Sequence, residues 1–160
     1  MIGKASMSMK IENYNNVGIG LVALLSVIKH FEDLDYAKAL LIQPLLLHNP
    51  LTNYVKKANV VINGIEDLTL SKVEYFLNYN DRYFSLLPLS INTILIAEKM
   101  KFIKLEDTKI IVNKSNIKAF DFNSKLLGKR AKNIIAASAN ISRLLKEESS
   151  ELYFKLRVEV

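Results

Sequence analysis

Chemistry in a protein needs a positioned acid, base, nucleophile or metal, and this chain offers few starting points. Its two histidines, His30 and His48, lie in different apolar segments, and cysteine is absent. Disulfides, thiol nucleophiles and cysteine-ligated zinc are thereby excluded. His30 with Glu32, Asp33 and Asp35 is the nearest approach to a metal cluster. Its spacing matches no metal motif, and an acidic turn capping a helix explains the same residues. His48, between an apolar run and Asn49-Pro50, suits a helix end or an interface better than a general base. Gly18-Ile19-Gly20 lacks the further glycine and the Lys-Ser/Thr of a phosphate loop, and there is no Gly-x-Ser-x-Gly elbow. The expectation is a chain that is not an enzyme and uses no cofactor, metal or small-molecule substrate.

Cations supply the one strong pattern. Residues 1–80 hold seven Lys and seven Asp/Glu, whereas residues 81–160 hold 15 Lys/Arg and nine Asp/Glu, so the net charge of +6 lies entirely in the second half. Residues 99–132 alone carry ten cations against three acids. At about 100° per residue, a helix over 124–147 gathers Leu127, Ala131, Ile134, Ser138, Ile141 and Leu145 on one face. Lys125, Lys129, Lys132, Arg143 and Lys146 collect on the opposite face, with Arg130 outside the stripe. Three readings stay open for this stripe: a solvated outer face, a surface for an acidic protein, or a track for nucleic-acid phosphates. The helix has no aromatic residue, so any nucleic-acid contact through it is to the backbone, without base stacking. Lys104 and Lys109, on a neighbouring hairpin, join the candidate nucleic-acid surface.

The elements that must position these residues read as mainly helical. Val17–Phe31 is a continuous apolar stretch expected to form a central buried helix. Asp33-Leu34-Asp35 is read as capping a second helix from Tyr36, which Pro44 kinks or ends early and Asn49-Pro50 stops. Residues 51–67 are expected to be the loosest part. Ser71-Lys72-Val73-Glu74 has the form of a capping box for a short helix to about Tyr79. Pro88 suits the first turn of a further helix ending near Met100. Phe102–Leu105, the turn Glu106–Thr108 and Lys109–Val112 then give a β-hairpin signal. Helix, turn, helix and hairpin make residues 68–113 a winged-helix-like unit. The long amphipathic helix follows, and the alternating Leu152–Val160 is expected to be a short C-terminal strand. The whole is read as one domain over 1–160 with a flexible arm over 1–14.

Two apolar runs, Val17–Ile28 and Ala39–Leu47, are 12 and nine residues long, short of the roughly 20 that a membrane span needs. The expectation is therefore a cytoplasmic protein without a membrane partner. A mean hydropathy of +0.14 beside 24% charged residues points to more apolar surface than one small core consumes, and so to a permanent protein partner.

Three stretches carry a family resemblance: Asn15-Asn16-Val17, opening the first helix; Leu40–His48, close to a Leu-Pro-Leu-x-Leu-His core with Gln43 where Leu is usual; and Ile141–Leu145 followed by Leu152–Val158. In that order they resemble the middle component of three-component ABC ATPase systems, a group that includes Lamassu-type anti-phage defence. The resemblance implies a non-catalytic adaptor between an SMC- or Rad50-like ABC ATPase and an effector such as a nuclease, with DNA engaged by the complex. Leu45, Leu46, Leu47, Tyr153, Phe154 and Leu156 are then the candidates for core or protein contact. The rival is a stand-alone winged-helix nucleic-acid-binding regulator, whose groove-reading helix, Pro88–Met100, offers Ser90, Asn92 and Thr93 but no Arg.

Overall fold

A computed structural model describes residues 16–160. The arm expected over 1–14 lies outside the described residues. Among those described, eight helices surround a small antiparallel sheet, and the fold is mainly α.

Helix α1, over residues 16–28, is the central element that its apolar run implies. Every residue from Val22 to Ile28 is buried, including Ser26, whose hydroxyl donates to the Ala23 carbonyl. The chain then forms β1 (Asp33–Asp35) and α2 (Tyr36–Leu46). Asp35 does occupy the N-cap position, although its side chain makes no capping hydrogen bond. Strand β1 has no period-2 signal long enough to read; it exists because its backbone pairs with a distant hairpin.

Pro44 neither ends nor shortens α2, which runs past it to Leu46. Burial from Leu41 through Leu46 outweighs the backbone hydrogen bond that a proline removes. Side chains from three other elements also take up the helix's C-terminal carbonyls, which no helical N–H reaches. Arg82 Nε donates to Pro44 O at 2.8 Å, Thr52 Oγ1 to Leu46 O at 2.6 Å, and Arg130 to Leu47 O at 3.2 Å. Asn49-Pro50 starts a helix rather than stopping one. In α3 (Asn49–Val55) the proline stands in the first turn, and His48 is the N-cap.

Two further sequence expectations change. Of the segment 51–67, residues 51–55 belong to α3 and 65–67 to α4 (Ile65–Ser71), which opens at Gly64 with φ 133°, while 56–64 between them form no helix or strand. Ser71 ends α4 instead of capping a new helix, and only a 3-10 turn, Val73–Tyr75, follows. Helix α5 (Tyr79–Lys99) is one 21-residue helix with Pro88 inside it. Phe84, whose carbonyl Pro88 leaves without its usual partner, lies on the exposed side where solvent can take that group over.

The hairpin forms as expected, with β2 (Ile103–Leu105) against β3 (Lys109–Val112) and Leu105 opposite Ile110. The sheet order is β1-β3-β2, so the central strand is flanked on its far side by a strand from the first third of the chain. Residues 68–113 are therefore not self-contained: β1 completes their sheet and α5 packs on α2. Helix α6 (Lys114–Lys118) precedes α7 (Lys129–Leu144), which is shorter than the expected 124–147 helix.

The end of the chain is helical, not extended. Helix α8 spans Ser149–Lys155, and Arg157 beyond it has φ 58°. Arg157 N–H donates to Phe154 O and Val158 N–H to Tyr153 O, a Schellman end. The alternation of Leu152, Phe154, Leu156 and Val158 is ambiguous in sequence, because Leu152 and Leu156 are also one helical turn apart. Leu152, Leu156 and Val158 join the same buried cluster as Ala23, Leu34, Ile110 and Ile134.

Candidate nucleic-acid interface

Helix α7 turns Ala131, Ile134, Ala137, Ser138, Ile141, Ser142 and Leu144 inward. It packs on α2 and α3, tied by Asn140 Nδ2 to Val55 O at 2.6 Å and by Lys56 Nζ to Asn133 Oδ1 at 3.0 Å. Its outward face carries Lys129, Lys132 and Arg143, all exposed, with exposed Lys146 just past its end and Lys125 in the turn before it. None of these five belongs to an ion pair among the described residues. Arg143 is steadied by donating to Asn140 Oδ1. The stripe is not continuous: Ala136 and Ala139 occupy the exposed positions between Lys132 and Arg143. Those two cations are separated by about 16 Å of helix, more than the roughly 10 Å Debye length at 0.1 M salt. The face therefore presents two cationic ends, Lys125/Lys129/Lys132 and Arg143/Lys146. Lys129, at the first position, also meets the positive end of the helix dipole, which favours an anion there.

The hairpin cations differ. Lys104 Nζ lies 3.5 Å from Glu106 and Lys109 Nζ 3.8 Å from Asp33. Both pairs are exposed and add little stability, but they weaken the local field. The acidic residues of β1, which read as a turn in the sequence, lie alongside the hairpin and dilute it.

The six apolar candidates divide. Leu45, Leu46 and Leu156 are buried in the core and have no surface to offer a partner. Leu47 and Tyr153 are half-buried, and Tyr153 is committed to internal hydrogen bonds, with Ala37 O at 2.6 Å and Tyr83 Oη at 3.1 Å. Burial, then the Tyr83 hydroxyl, raises the Tyr153 phenol above its ordinary range. Phe154 alone is strongly exposed, at 80%. One apolar strip that sequence reasoning misses lies on the outer side of α5. Phe84, Pro88, Ile91 and Leu95 recur there at helical spacing, with Met100 beyond them, and all are exposed. The i, i+4, i+7, i+11 signal is present, but the expected helix boundary at Pro88 splits it.

The histidines stand apart, His30 just after α1 and His48 at the N-cap of α3. His48 Nδ1 accepts the Leu51 N–H at 3.3 Å; burial and then Arg82 hold its pKa below the usual 6.5. Partial burial, followed by Lys29, Lys114 and Lys146, lowers His30 as well. Arg82 is occupied structurally: besides Pro44 it donates to Tyr75 O at 3.0 Å and lies over the Tyr79 ring. Among the described residues no three His, Asp or Glu side chains are grouped to hold a metal, and no helix is long and apolar enough to cross a membrane. No protein-family model, curated protein or solved structure matches the chain.

Proposed function

We propose that this chain is a non-catalytic adaptor of a bacterial anti-phage defence complex. It couples an SMC- or Rad50-like ABC ATPase to an effector such as a nuclease in the cytoplasm. The reading rests on the three stretches that resemble the middle components of three-component ABC ATPase systems. The structural observation that carries it is the segregation of two unlike surfaces on one small body. The outer side of α5 carries an apolar strip, Phe84, Pro88, Ile91 and Leu95, suited to a lasting protein contact, whereas α7 presents cations with no acidic partner among the described residues. In this proposal α5 docks a protein and α7 faces DNA backbone held by the complex. Co-expression of the tagged chain with its neighbouring genes tests it. Capture of a long coiled-coil ATPase is the expected result, and recovery of the chain alone overturns the reading.

A second reading, the stand-alone winged-helix regulator, is favoured by one observation: the hairpin directly follows α5 and is completed by a third strand from between α1 and α2. The placement of α5 speaks against it, since a groove reader needs polar or cationic side chains: Ser90 and Thr93 are buried, and exposed Asn92 stands among Phe84, Pro88, Ile91 and Leu95. A sequence-selective gel shift by the isolated chain would restore it.

A further inference from the structure

We infer that the pocket between the end of α1 and the segment after α6 binds a nucleotide unit, one phosphate with its neighbouring base, as a single-stranded nucleic-acid residue or a free nucleotide. Lys29, His30, Lys114, Ile117, Lys118, Phe120 and Phe122 line an open cleft of about 390 Å³, within the roughly 300–1,000 Å³ of small-ligand sites.

Its floor is built from the core outward. Ile117 is buried, and Phe120 stands edge-on to the core ring of Phe102, with centroids 6.3 Å apart. Phe122 leans on Phe120 at 4.7 Å. Both outer rings are half-buried, and Phe122 carries the Lys29 ammonium over its ring, so a base stacking there displaces that ammonium toward the phosphate. The walls are cationic. Lys29 Nζ sits 4.4 Å over the Phe122 ring, and Lys114 Nζ donates to Lys29 O at 2.6 Å. Lys118, which also lines the cavity, is exposed. The acids are few. Glu32 reaches Lys114 only at 4.0 Å, and Asp121 accepts the Asn123 N–H at 2.9 Å. Lys29 and Lys118 enter no ion pair among the described residues.

An acidic peptide would need the cations but not the rings, and an apolar ligand the rings but not the cations. A nucleotide uses both: its phosphate lies on ammonium groups and its base on an aromatic face. Stacking of this kind tolerates any base, so little sequence preference is expected. The inference goes beyond the adaptor reading, because it concerns the isolated chain and a single strand rather than duplex backbone on α7.

The test is fluorescence anisotropy of the full chain with a labelled oligothymidylate at low salt, with a duplex of equal length as control. Binding of the single strand, weakened about tenfold by Phe122→Ala and largely kept by Phe122→Trp, is the expected result. Lys118→Glu, an exposed change that leaves the core alone, should also weaken it. Competition by thymidine monophosphate identifies a free-nucleotide site, and its failure to compete identifies a strand site. Absence of binding of both the single strand and, by calorimetry, thymidine monophosphate, or binding unchanged by both Phe122→Ala and Lys118→Glu, overturns the inference. Capture of the ATPase by these variants is expected to persist, which separates this failure from failure of the adaptor reading.

Discussion

Helices α5 and α7 pack on the same element, α2, yet turn opposite chemistry outward. On α5 the exposed positions include Phe84, Pro88, Ile91 and Leu95; on α7 they include Lys129, Lys132, Ala136, Ala139 and Arg143. Their inner faces differ too. Where α7 buries mostly small and aliphatic residues, α5 meets α1 and α2 through a polar node: Gln43 Nε2 donates to Gly20 O at 2.8 Å and to Thr93 Oγ1 at 3.3 Å. Gln43 Oε1 and Ser90 Oγ in that node have no hydrogen-bond partner among the described residues. An exposed apolar strip above a partly polar inner contact departs from an ordinary surface helix. It fits a helix whose outer face is meant to be covered, while α7 has the ordinary pattern with an excess of one charge.

The comparison breaks most visibly if the two outer faces prove interchangeable. Reversing Lys129, Lys132, Arg143 and Lys146 to Glu should lower duplex-DNA affinity of the assembled complex by about 100-fold or more at low salt, since each lost phosphate contact removes about 0.9 from the salt slope. A salt titration checks this, and an unchanged slope returns the stripe to a merely solvated face. Ile91→Asp with Leu95→Asp should leave DNA binding intact but cost about tenfold or more in ATPase capture, the scale of interface anchors. Quantitative pull-down and thermal melting together separate lost docking from lost folding.

The seating of α5 can be sharpened from inside. A Cβ on Gly20 would lie 2.9 Å from Thr93 Cγ2 and 3.4 Å from Gln43 Oε1. Gly20→Ala should therefore destabilise by about 2 kcal/mol, read from urea midpoints. His48→Ala should cost about 1 kcal/mol through the lost α3 cap. Because the folded imidazole lies below the ordinary 6.5, its contribution is present above that pH and lost as pH falls through the folded value. Wild-type melting temperature should accordingly drop on acidification, and less so in His48→Ala. Smallest is Lys101→Gly at the end of α5. Lys101 has φ 63°, so glycine there should stabilise by up to about 1 kcal/mol, while removing a cation from the hairpin side without affecting α7-dependent binding.

What was legible followed from pattern length. The apolar run of α1, the hairpin around Glu106–Thr108 and the two faces of α7 all extend over enough residues for periodicity to decide. Local rules fail where they meet burial. Pro44 and Pro88 look like helix ends, but one lies in the core of α2 with Arg82 nearby and the other on the wet side of α5. Ser71 looks like an N-cap because the capping-box spacing says nothing about which side the helix is on. Leu152–Val158 fits two periods equally over so short a span, and the left-handed Arg157 that ends α8 has no glycine to announce it.

Of the candidate surface, the sequence by itself determined the charge asymmetry and which α7 residues point outward, since a 3.6-residue period leaves no other arrangement. It also determined that cysteine chemistry is absent. Only the tertiary structure decided which apolar residues stay outside, which of the hairpin lysines meet the acids of β1, and that Lys29, Lys118, Phe120 and Phe122 share one pocket. Those facts join positions up to about 90 residues apart, and no local propensity encodes a distance between segments that approach only when the core closes.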